Sequence, residues 1–336
     1  MKAPDFWWRP PGLAAACLAP VAFAYGAVAA RRMGQEGVRA AVPIICVGNV
    51  TVGGSGKTPT AIAVASLLRE AGWGPAFLLR GYGGRLAGPV SVDPARHVAG
   101  DVGDEALLLA RHAQTIVSRD RPAGAAEAVA LGAQVIVMDD GLQNPSLAKT
   151  LSLAVFDGAV GIGNGRVLPA GPLRAPLRAQ WSRIDAVVIV GPGPRGDAFA
   201  ADAAARTVPV LRAALIPAPE AAASLAGRRV LAFAGIGQPA KFVRTCREAG
   251  LEVAATRDFP DHHPFTAPEI SDLLDAAERD HLVPVTTEKD EVRLRALAGS
   301  EPRLGLIRTL PVTLAFAQPD ELRRLLAERL PGGRPS

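Results

Sequence analysis

Cysteine is scarce in this sequence of 336 residues. Its three cysteines, Cys17, Cys46 and Cys246, lie far apart and form no C-x-x-C pair. This spacing excludes a disulfide framework, gives no zinc-binding pattern and fits a reducing compartment.

Aromatic residues make up only 5% of the chain, and no Lys/Arg-rich block is interleaved with them. The formal charge of +5 therefore does not indicate nucleic-acid binding. It fits either a solvated basic surface or attraction to anionic lipid headgroups.

Long uncharged runs are also rare, and the exception lies near the N-terminus. Residues Leu13 to Ala30 carry no charge over 18 positions, with Arg31 and Arg32 directly after them. The run is barely long enough to span a bilayer, and Pro20 interrupts it. A cleaved signal peptide is one interpretation. A membrane-associated N-terminal helix, with arginines on the cytoplasmic side, is the interpretation that we favour, because the next segment is typical of a nucleotide-binding protein.

Apolar strand-like runs then alternate with helical patterns, which predicts an α/β fold with a parallel sheet covered on both faces. The chain has material for about two domains. We expect a membrane-associated helix in residues 1–40, a nucleotide-binding domain in 41–220 and a smaller α/β domain in 221–336. The stretch from Gly191 to Gly227, rich in Pro, Gly and Ala, looks like a joining segment.

A glycine-rich loop follows the first strand-like run, in "VGNVTVGGSGKTPTAIAVASLL". Such a loop aims backbone N–H groups at phosphates, while its lysine neutralises charge and its Ser/Thr hydroxyl binds Mg²⁺. The strict pattern would have glycine at Thr51, but Gly53 to Thr58 read G-G-x-G-K-T. The alternative, a glycine-rich turn that caps a helix, does not require Lys57 and Thr58. We therefore predict a P-loop NTPase-like sheet that binds ATP and Mg²⁺. The predicted binding residues are Thr51, Val52, Gly53, Gly54, Ser55, Gly56, Lys57 and Thr58.

Carboxylates follow at two further places. "QVIVMDDG" ends a buried strand in Asp139 and Asp140, whose side chains should point to opposite sides. A metal-directed aspartate and a simple Asp-Gly turn both fit this pattern. "DVGDEALLLA" offers Asp104 and Glu105, either as an acidic first turn of a helix or as a base and a second metal-directed carboxylate.

Three other segments remain open to more than one interpretation. "RDFPDHHPF" contains His262 and His263, which suit metal ligands, a base with its partner, or a surface turn. "TTEKDEVRL" either lines an adenine pocket through Glu288 or begins a helix with a capping box. "GNGRVLPAGPLRAPL" is a loop whose arginines suit a phosphorylated substrate or are merely exposed.

Taken together, these motifs resemble the tetraacyldisaccharide 4'-kinases. In order, the shared motifs are the hydrophobic N-terminal helix, "VGNVTVGGSGKTP", "LRGYGG", "VGDE", "SRDRP", "DDGLQ", "NGRVLPAGPLR", "FAGIGQP", "DHHPF" and "TTEKD". They cover nearly the whole chain. The resemblance implies transfer of the ATP γ-phosphate to the 4'-hydroxyl of tetraacyldisaccharide 1-phosphate, on the cytoplasmic face of the bacterial inner membrane. It implies a lipid substrate and no obligate protein partner.

The resemblance also implies individual roles. Lys57 and Thr58 hold the phosphates and Mg²⁺, Asp139 and Glu105 help with the metal, and Asp140 engages Lys57. Asp104 acts as the base, assisted by His262. The motifs add Arg80, Arg119, Asn164 and Arg174 as further site residues. Two rivals are a P-loop switch protein, which would hydrolyse nucleotide without lipid, and a phosphoesterase, whose further metal ligands we do not find.

Overall fold

The computed structural model describes residues 3–330. It contains two parallel-rich sheets, each with helices on both faces. The strands are β1 (Ile44–Gly48), β2 (Pro75–Leu79), β3 (Val90–Ser91), β4 (Gln114–Val117), β5 (Val135–Asp139), β6 (Leu151–Asp157), β7 (Ala186–Val190), β8 (Val210–Pro217), β9 (Arg229–Ala234), β10 (Glu252–Asp258), β11 (Val283–Thr286), β12 (Arg308–Thr309) and β13 (Val312–Phe316). The helices are α1 (Leu13–Cys17), α2 (Ala19–Met33), α3 (Lys57–Glu70), α4 (Ala99–Val102), α5 (Asp104–Leu109), α6 (Arg121–Ala130), α7 (Leu177–Trp181), α8 (Pro194–Ala205), α9 (Pro219–Leu225), α10 (Pro239–Glu248), α11 (Ala267–Arg279), α12 (Glu288–Leu294) and α13 (Pro319–Arg329).

The larger sheet has nine strands in the order β13-β8-β7-β6-β1-β5-β2-β4-β3. The strands from β8 to β4 are parallel, and β3 and β13 run antiparallel at the two edges. Alternate residues of β1 enter the apolar clusters on the two faces, Ile45 on one side and Ile44 on the other. The α/β prediction is confirmed. The strands are apolar throughout because both faces of the sheet are buried.

The smaller sheet has the order β10-β9-β11-β12 and is parallel throughout. The last strand and helix of the described chain do not belong to it. Strand β13 pairs with β8, and α13 buries Leu322 and Leu326 in the core of the larger sheet. Each sheet with its helices forms one lobe. The last described strand and helix thus return to the larger lobe, a long-range pairing that local pattern does not reveal.

The stretch from Gly191 to Gly227 also differs from our expectation, because it contains α8, β8 and α9. Pro194 and Pro219 each stand in the first turn of a helix, where proline is favoured. The alanines that suggested a joining segment are strong helix formers, and Ala200 and Ala203 are buried against the sheet. This region is therefore part of the fold rather than a joining segment.

The uncharged N-terminal run forms the two helices α1 and α2, which meet at Leu18 beside Pro20. One face packs on the larger lobe at Gly26, next to Pro176 and Val167, and Ala15 and Ala22 are also buried. Leu13 and Phe23 lie on the exposed side, with 86% and 80% of their surface accessible. Between residues 3 and 330, no helix combines the length and the apolar character that crossing a membrane requires.

Candidate active site

The glycine-rich loop leaves β1 at Gly48 and enters α3 at Lys57. Gly53 and Gly56 have φ angles of 103° and 92°, a region that favours glycine. The loop is held from behind, since the Asn49 side chain donates to the Gly53 carbonyl at 3.2 Å and the Val52 N–H donates to Pro172 at 2.9 Å. A Cβ built on Gly53 or Gly54 would meet no atom of the described chain within 4 Å. The loop therefore has the open surface that a phosphate needs.

Asp139 lies at the end of β5, opposite Val47 of the neighbouring strand. Its Oδ2 accepts a hydrogen bond from the Thr58 hydroxyl at 3.1 Å. Its Oδ1 and the Ser55 hydroxyl are buried and have no partner among residues 3–330. Burial, with help from the Glu105 charge, raises the pKa of Asp139 to about 7. Buried polar atoms without partners are costly, so these groups suit a ligand that supplies a cation and polar oxygens.

These residues fit Mg²⁺ bound together with a nucleotide. Mg²⁺ prefers oxygen ligands and keeps several waters, so one or two carboxylates and substrate phosphates suffice. The part of the chain that the structure describes holds no group of three or more His, Cys, Asp or Glu side chains arranged for a metal. Mg²⁺ that is shared with a nucleotide does not need such a group.

Asp140 follows Asp139 and adopts a positive φ of 55°. Its Oδ1 accepts a hydrogen bond from Arg174 Nη1 at 2.7 Å, and Arg174 Nε donates to the Thr51 carbonyl at 3.0 Å. Burial raises the pKa of Asp140, but the charges of Lys57 and Arg174 outweigh it and hold the pKa below its ordinary value. The two adjacent aspartates thus have different surroundings. Lys57 acts on Asp140 through charge, while Arg174 is its hydrogen-bond partner.

Asp104 begins α5 and is 5% exposed. Its Oδ2 accepts from Arg293 Nε at 2.9 Å and lies 3.0 Å from His262 Nδ1, while its Oδ1 accepts from the Glu105 N–H at 2.9 Å. Burial raises the pKa of Asp104, but the His262 hydrogen bond and the charges of Lys289 and Arg293 bring it well below its usual range. The structure thus brings together Asp104 and His262, which are 158 positions apart in sequence.

His262 and His263 occupy different environments, although they are neighbours. His262 has a φ of 55° and lies beside Tyr82, with 5.6 Å between the ring centroids. The hydrogen bond to Asp104 raises the pKa of His262, and burial opposes it. His263 instead stacks on Phe259 and bonds Glu269 at 3.0 Å, inside the smaller lobe. The choice of His262 as the partner of Asp104 agrees with this geometry.

Glu105 pairs with Lys289 of α12, with 2.7 Å between Oε1 and Nζ. The Lys289 charge lowers the pKa of Glu105 despite burial, and Lys57 adds to this effect. Burial lowers the pKa of Lys289, but Glu105, Asp104 and Asp139 together raise it above its ordinary value. In this structure Glu105, which we predicted to bind the metal, therefore forms an ion pair with Lys289.

The remaining predicted residues lie farther from these contacts. Arg80 follows β2 and is exposed, and Arg119 Nη2 reaches the Gly84 carbonyl at 3.5 Å. Asn164 accepts from the Arg166 N–H and donates to Ala170, so it shapes its own loop. Glu288 bonds the Val312 N–H at 3.4 Å, next to the larger lobe, and burial raises its pKa. Their roles in binding stay predictions.

A family model described as tetraacyldisaccharide-1-P 4'-kinase (LpxK) matches residues 14–331. The chain belongs to the tetraacyldisaccharide 4'-kinase family. It is 61% identical to the tetraacyldisaccharide 4'-kinase of Methylobacterium nodulans over 95% of this chain and 93% of that protein. It is also 55% identical to the enzyme of that name from Bradyrhizobium sp. strain BTAi1, over 99% of this chain and 97% of that protein. Membership makes the chain a kinase.

Among solved structures, the "apo" form of LpxK from Aquifex aeolicus in complex with ATP is similar, with a TM-score of 0.72. The two chains are 24% identical, and the match covers 94% of this chain and 99% of that one. At this identity the likeness supports the fold. It confirms the predicted α/β architecture for a member of the tetraacyldisaccharide 4'-kinase family.

Three cationic side chains lie at the site of this kinase but were not predicted as site residues from the sequence. Lys289 and Arg293 lie one helical turn apart on α12, and Arg121 is buried at the start of α6. Burial lowers the pKa of Arg121 to about 10, and the charges of Asp140 and Asp139 oppose it. The "TTEKDEVRL" segment contained a signal, because cations at positions i and i+4 share one face of a helix.

Proposed function

We propose that this chain transfers the γ-phosphoryl group of ATP to the 4'-hydroxyl of tetraacyldisaccharide 1-phosphate and so gives lipid IVA in lipid A biosynthesis. The observation that carries the proposal is the contact of Asp104 with His262 at the start of α5, next to Glu105, on whose carboxylate the charge of Lys57 of the glycine-rich loop acts. The names of the relatives supply the substrate, and the name of the Aquifex aeolicus structure supplies ATP. The charged groups of both lobes supply the chemistry.

Phosphoryl transfer asks the protein mainly for positioning and for stabilisation of negative charge. The N–H groups of the loop and Lys57 would hold the β- and γ-phosphates. The Thr58 hydroxyl and the Asp139 carboxylate would hold Mg²⁺, and Glu105 would join them after release from Lys289. A bound Mg²⁺ supplies charge neutralisation at the phosphate oxygens.

The Asp104–His262 pair would receive the proton of the attacking hydroxyl. The hydroxyl oxygen forms a bond to the γ-phosphorus, the bond from that phosphorus to the bridging oxygen of ADP breaks, and the proton passes to the pair. Asp104 is ionised at neutral pH, because its pKa is well below its usual range. His262 is only partly buried, so its ring can meet a substrate hydroxyl while Nδ1 stays bonded to Asp104.

Arg174 and the N-terminal segment would orient the lipid. Arg174 joins Asp140 to the loop through Thr51, which leaves it next to the phosphate site. The Trp7 indole donates to Pro169 at 3.0 Å, so the same long loop also fixes the start of the chain. The exposed apolar side of α1 and α2 would enter the cytoplasmic leaflet of the inner membrane, where the acyl chains reside.

A single assay tests this proposal. Purified protein in detergent is given ATP labelled at the γ-phosphate, Mg²⁺ and tetraacyldisaccharide 1-phosphate. We expect the label to appear on the disaccharide, and no transfer when the acceptor already carries a 4'-phosphate. Hydrolysis of ATP at the same rate with and without the lipid, and no labelled lipid, would instead support a nucleotide-driven switch.

A further inference from the structure

Two lysines of the smaller lobe reach across to carboxylates of the larger lobe. Lys289 Nζ lies 2.7 Å from Glu105, and Lys241 Nζ lies 2.9 Å from Asp157. The lysine side chains are 28% and 25% exposed, so the two lysines are similar in access to water and in the distance to their partners, although Asp157 is more buried than Glu105. Their surroundings differ.

Lys289 and Lys57, the lysine of the glycine-rich loop, act on the same carboxylates. The charges of Glu105, Asp104 and Asp139 all act on Lys289, and the charges of Lys57 and Lys289 both act on Glu105 and Asp139. Lys57 comes from the loop and Lys289 from the first turn of α12, which packs on α5. One group of carboxylates therefore has a lysine from each lobe beside it.

An incoming nucleotide changes this balance of charge. Its phosphates bring more negative charge to a place where the charges of Asp104, Glu105 and Asp139 already act together on Lys289. A metal ion attracts Glu105, and the phosphates attract the ammonium group that Glu105 holds. Each partner of the Lys289–Glu105 pair thus gains a new group of opposite charge, Glu105 the metal and Lys289 the phosphates. The pair is therefore suited to open when nucleotide and metal bind.

On the basis of the proposed function, we propose that Lys289 is a catalytic residue that contacts the oxygens of the transferring phosphoryl group. In the absence of nucleotide it rests on Glu105. When nucleotide binds, Glu105 turns to the metal and the Lys289 ammonium group stabilises the charge of the transition state. The smaller lobe thereby supplies a cation in cis, as an arginine finger does in other phosphoryl-transfer enzymes.

The test compares Lys289→Met, Lys289→Arg and the matched control Lys241→Met. We expect Lys289→Met to lower kcat about 100-fold or more, with the Kd for ATP changed less than about 5-fold. Lys289→Arg should recover part of the loss, because it keeps the charge. Lys241→Met removes a similar link between the lobes and should leave kcat within about 3-fold of the wild type. Equal losses in Lys289→Met and Lys241→Met would show that the lysines only connect the lobes.

A binding experiment separates this proposal from the proposed function. ADP with Mg²⁺ and aluminium fluoride imitates the transferring phosphoryl group and needs no lipid. We expect the wild type to bind this mixture much more tightly than ADP with Mg²⁺ alone, and Lys289→Met to lose most of that preference. An unchanged preference in Lys289→Met would overturn the role of Lys289. If the wild type shows the preference but transfers nothing to the lipid, only the substrate assignment fails.

Loss of Lys289 leaves Glu105 unpaired, so Lys289→Met can also fail to fold. The variant Glu105→Gln/Lys289→Met removes the unpaired charge and is compared with Glu105→Gln alone. If Lys289 acts on the phosphoryl group, kcat of the double variant falls at least about 10-fold below that of Glu105→Gln. If Lys289 only holds Glu105, the two variants have the same kcat, and the proposal is wrong.

Discussion

The two sides of the candidate site are held in place by different forces. On the side of the larger lobe, the loop from Asn49 to Gly56 is fixed by backbone geometry and by hydrogen bonds within that lobe. On the side of the smaller lobe, His262, Lys289 and Arg293 reach the site through ion pairs to Asp104 and Glu105. The first side is set by the local fold, while the second depends on how the two lobes meet. Substitutions on the two sides should therefore differ in how they affect the rate of transfer and the stability of the fold.

The largest effect is expected on the side of the larger lobe. Lys57→Ala and Asp139→Ala should each lower kcat by about 1,000-fold or more, because each removes a charge at the phosphates or at the metal. Melting temperature should change little with Lys57→Ala, since that side chain is only partly buried and would contact the phosphates. Steady-state transfer kinetics and thermal unfolding of each variant check this. A folded Lys57→Ala protein with a normal rate would remove the loop from the mechanism.

The junction of the two sides should show losses that do not add. Asp104→Ala and His262→Ala should each lower kcat about 100- to 10,000-fold, and the double variant should be little worse than either. The reason is that both residues serve one proton transfer. Measurement of kcat at saturating ATP and lipid decides the point, with His263→Ala as the control. Fully additive losses would indicate separate roles, and a larger loss in His263→Ala would move the assignment by one residue.

The third effect concerns stability more than rate. Arg293 is buried and binds Asp104, Asp290 and the Gly235 carbonyl at 2.8 to 3.0 Å. Arg293→Ala should lower the free energy of unfolding by about 3 to 5 kcal/mol, since it removes the cation that binds the buried Asp290 and leaves Asp104 with His262 as its side-chain partner. Arg323→Ala removes a cation whose bonds to Glu70 and Asp320 are exposed and screened by water, and it should lower the free energy of unfolding far less than Arg293→Ala does. Denaturant unfolding compares the two, and similar losses would contradict the buried network.

These regions also show how far the sequence could predict the site. The phosphate loop, Asp139 and Asp140 were predictable because their chemistry lies in one strand, one loop and the start of one helix. Lys289 and Arg293 were not predicted, because their partners Glu105 and Asp104 lie more than 180 positions away. The return of β13 to the larger sheet was missed for the same reason. Local pattern gives elements and motifs, while contacts between lobes require the folded chain.

The pH dependence of His262 should be moderate in size. The Asp104 hydrogen bond raises the pKa of His262, burial and Lys289 oppose it, and Asp261 adds a further rise. A group with a raised pKa stabilises the folded protein below its ordinary pKa, and this contribution is lost as the pH rises through the raised value. The stability difference between wild type and His262→Ala should therefore shrink from pH 6 to pH 9. Titration of His262 by NMR should give a lower pKa in Asp261→Asn, and no change in that variant would contradict the charge assignment.

The smallest effect on the phosphoryl-transfer chemistry is expected at the exposed side of the N-terminal helices. Phe23 and Val28 are 80% and 61% exposed, whereas Ala15, Ala22 and Trp7 are buried. Deletion of residues 1–32 would therefore also expose part of the core, so Phe23→Ser/Val28→Ser is the sharper variant.

Because Phe23→Ser/Val28→Ser removes only exposed apolar surface, it should keep its melting temperature and its rate on lipid dispersed in excess detergent. It should bind vesicles that contain anionic lipid more weakly and lose activity on substrate embedded in them. Flotation with vesicles measures the binding. Unchanged binding would place the membrane contact elsewhere on the molecule.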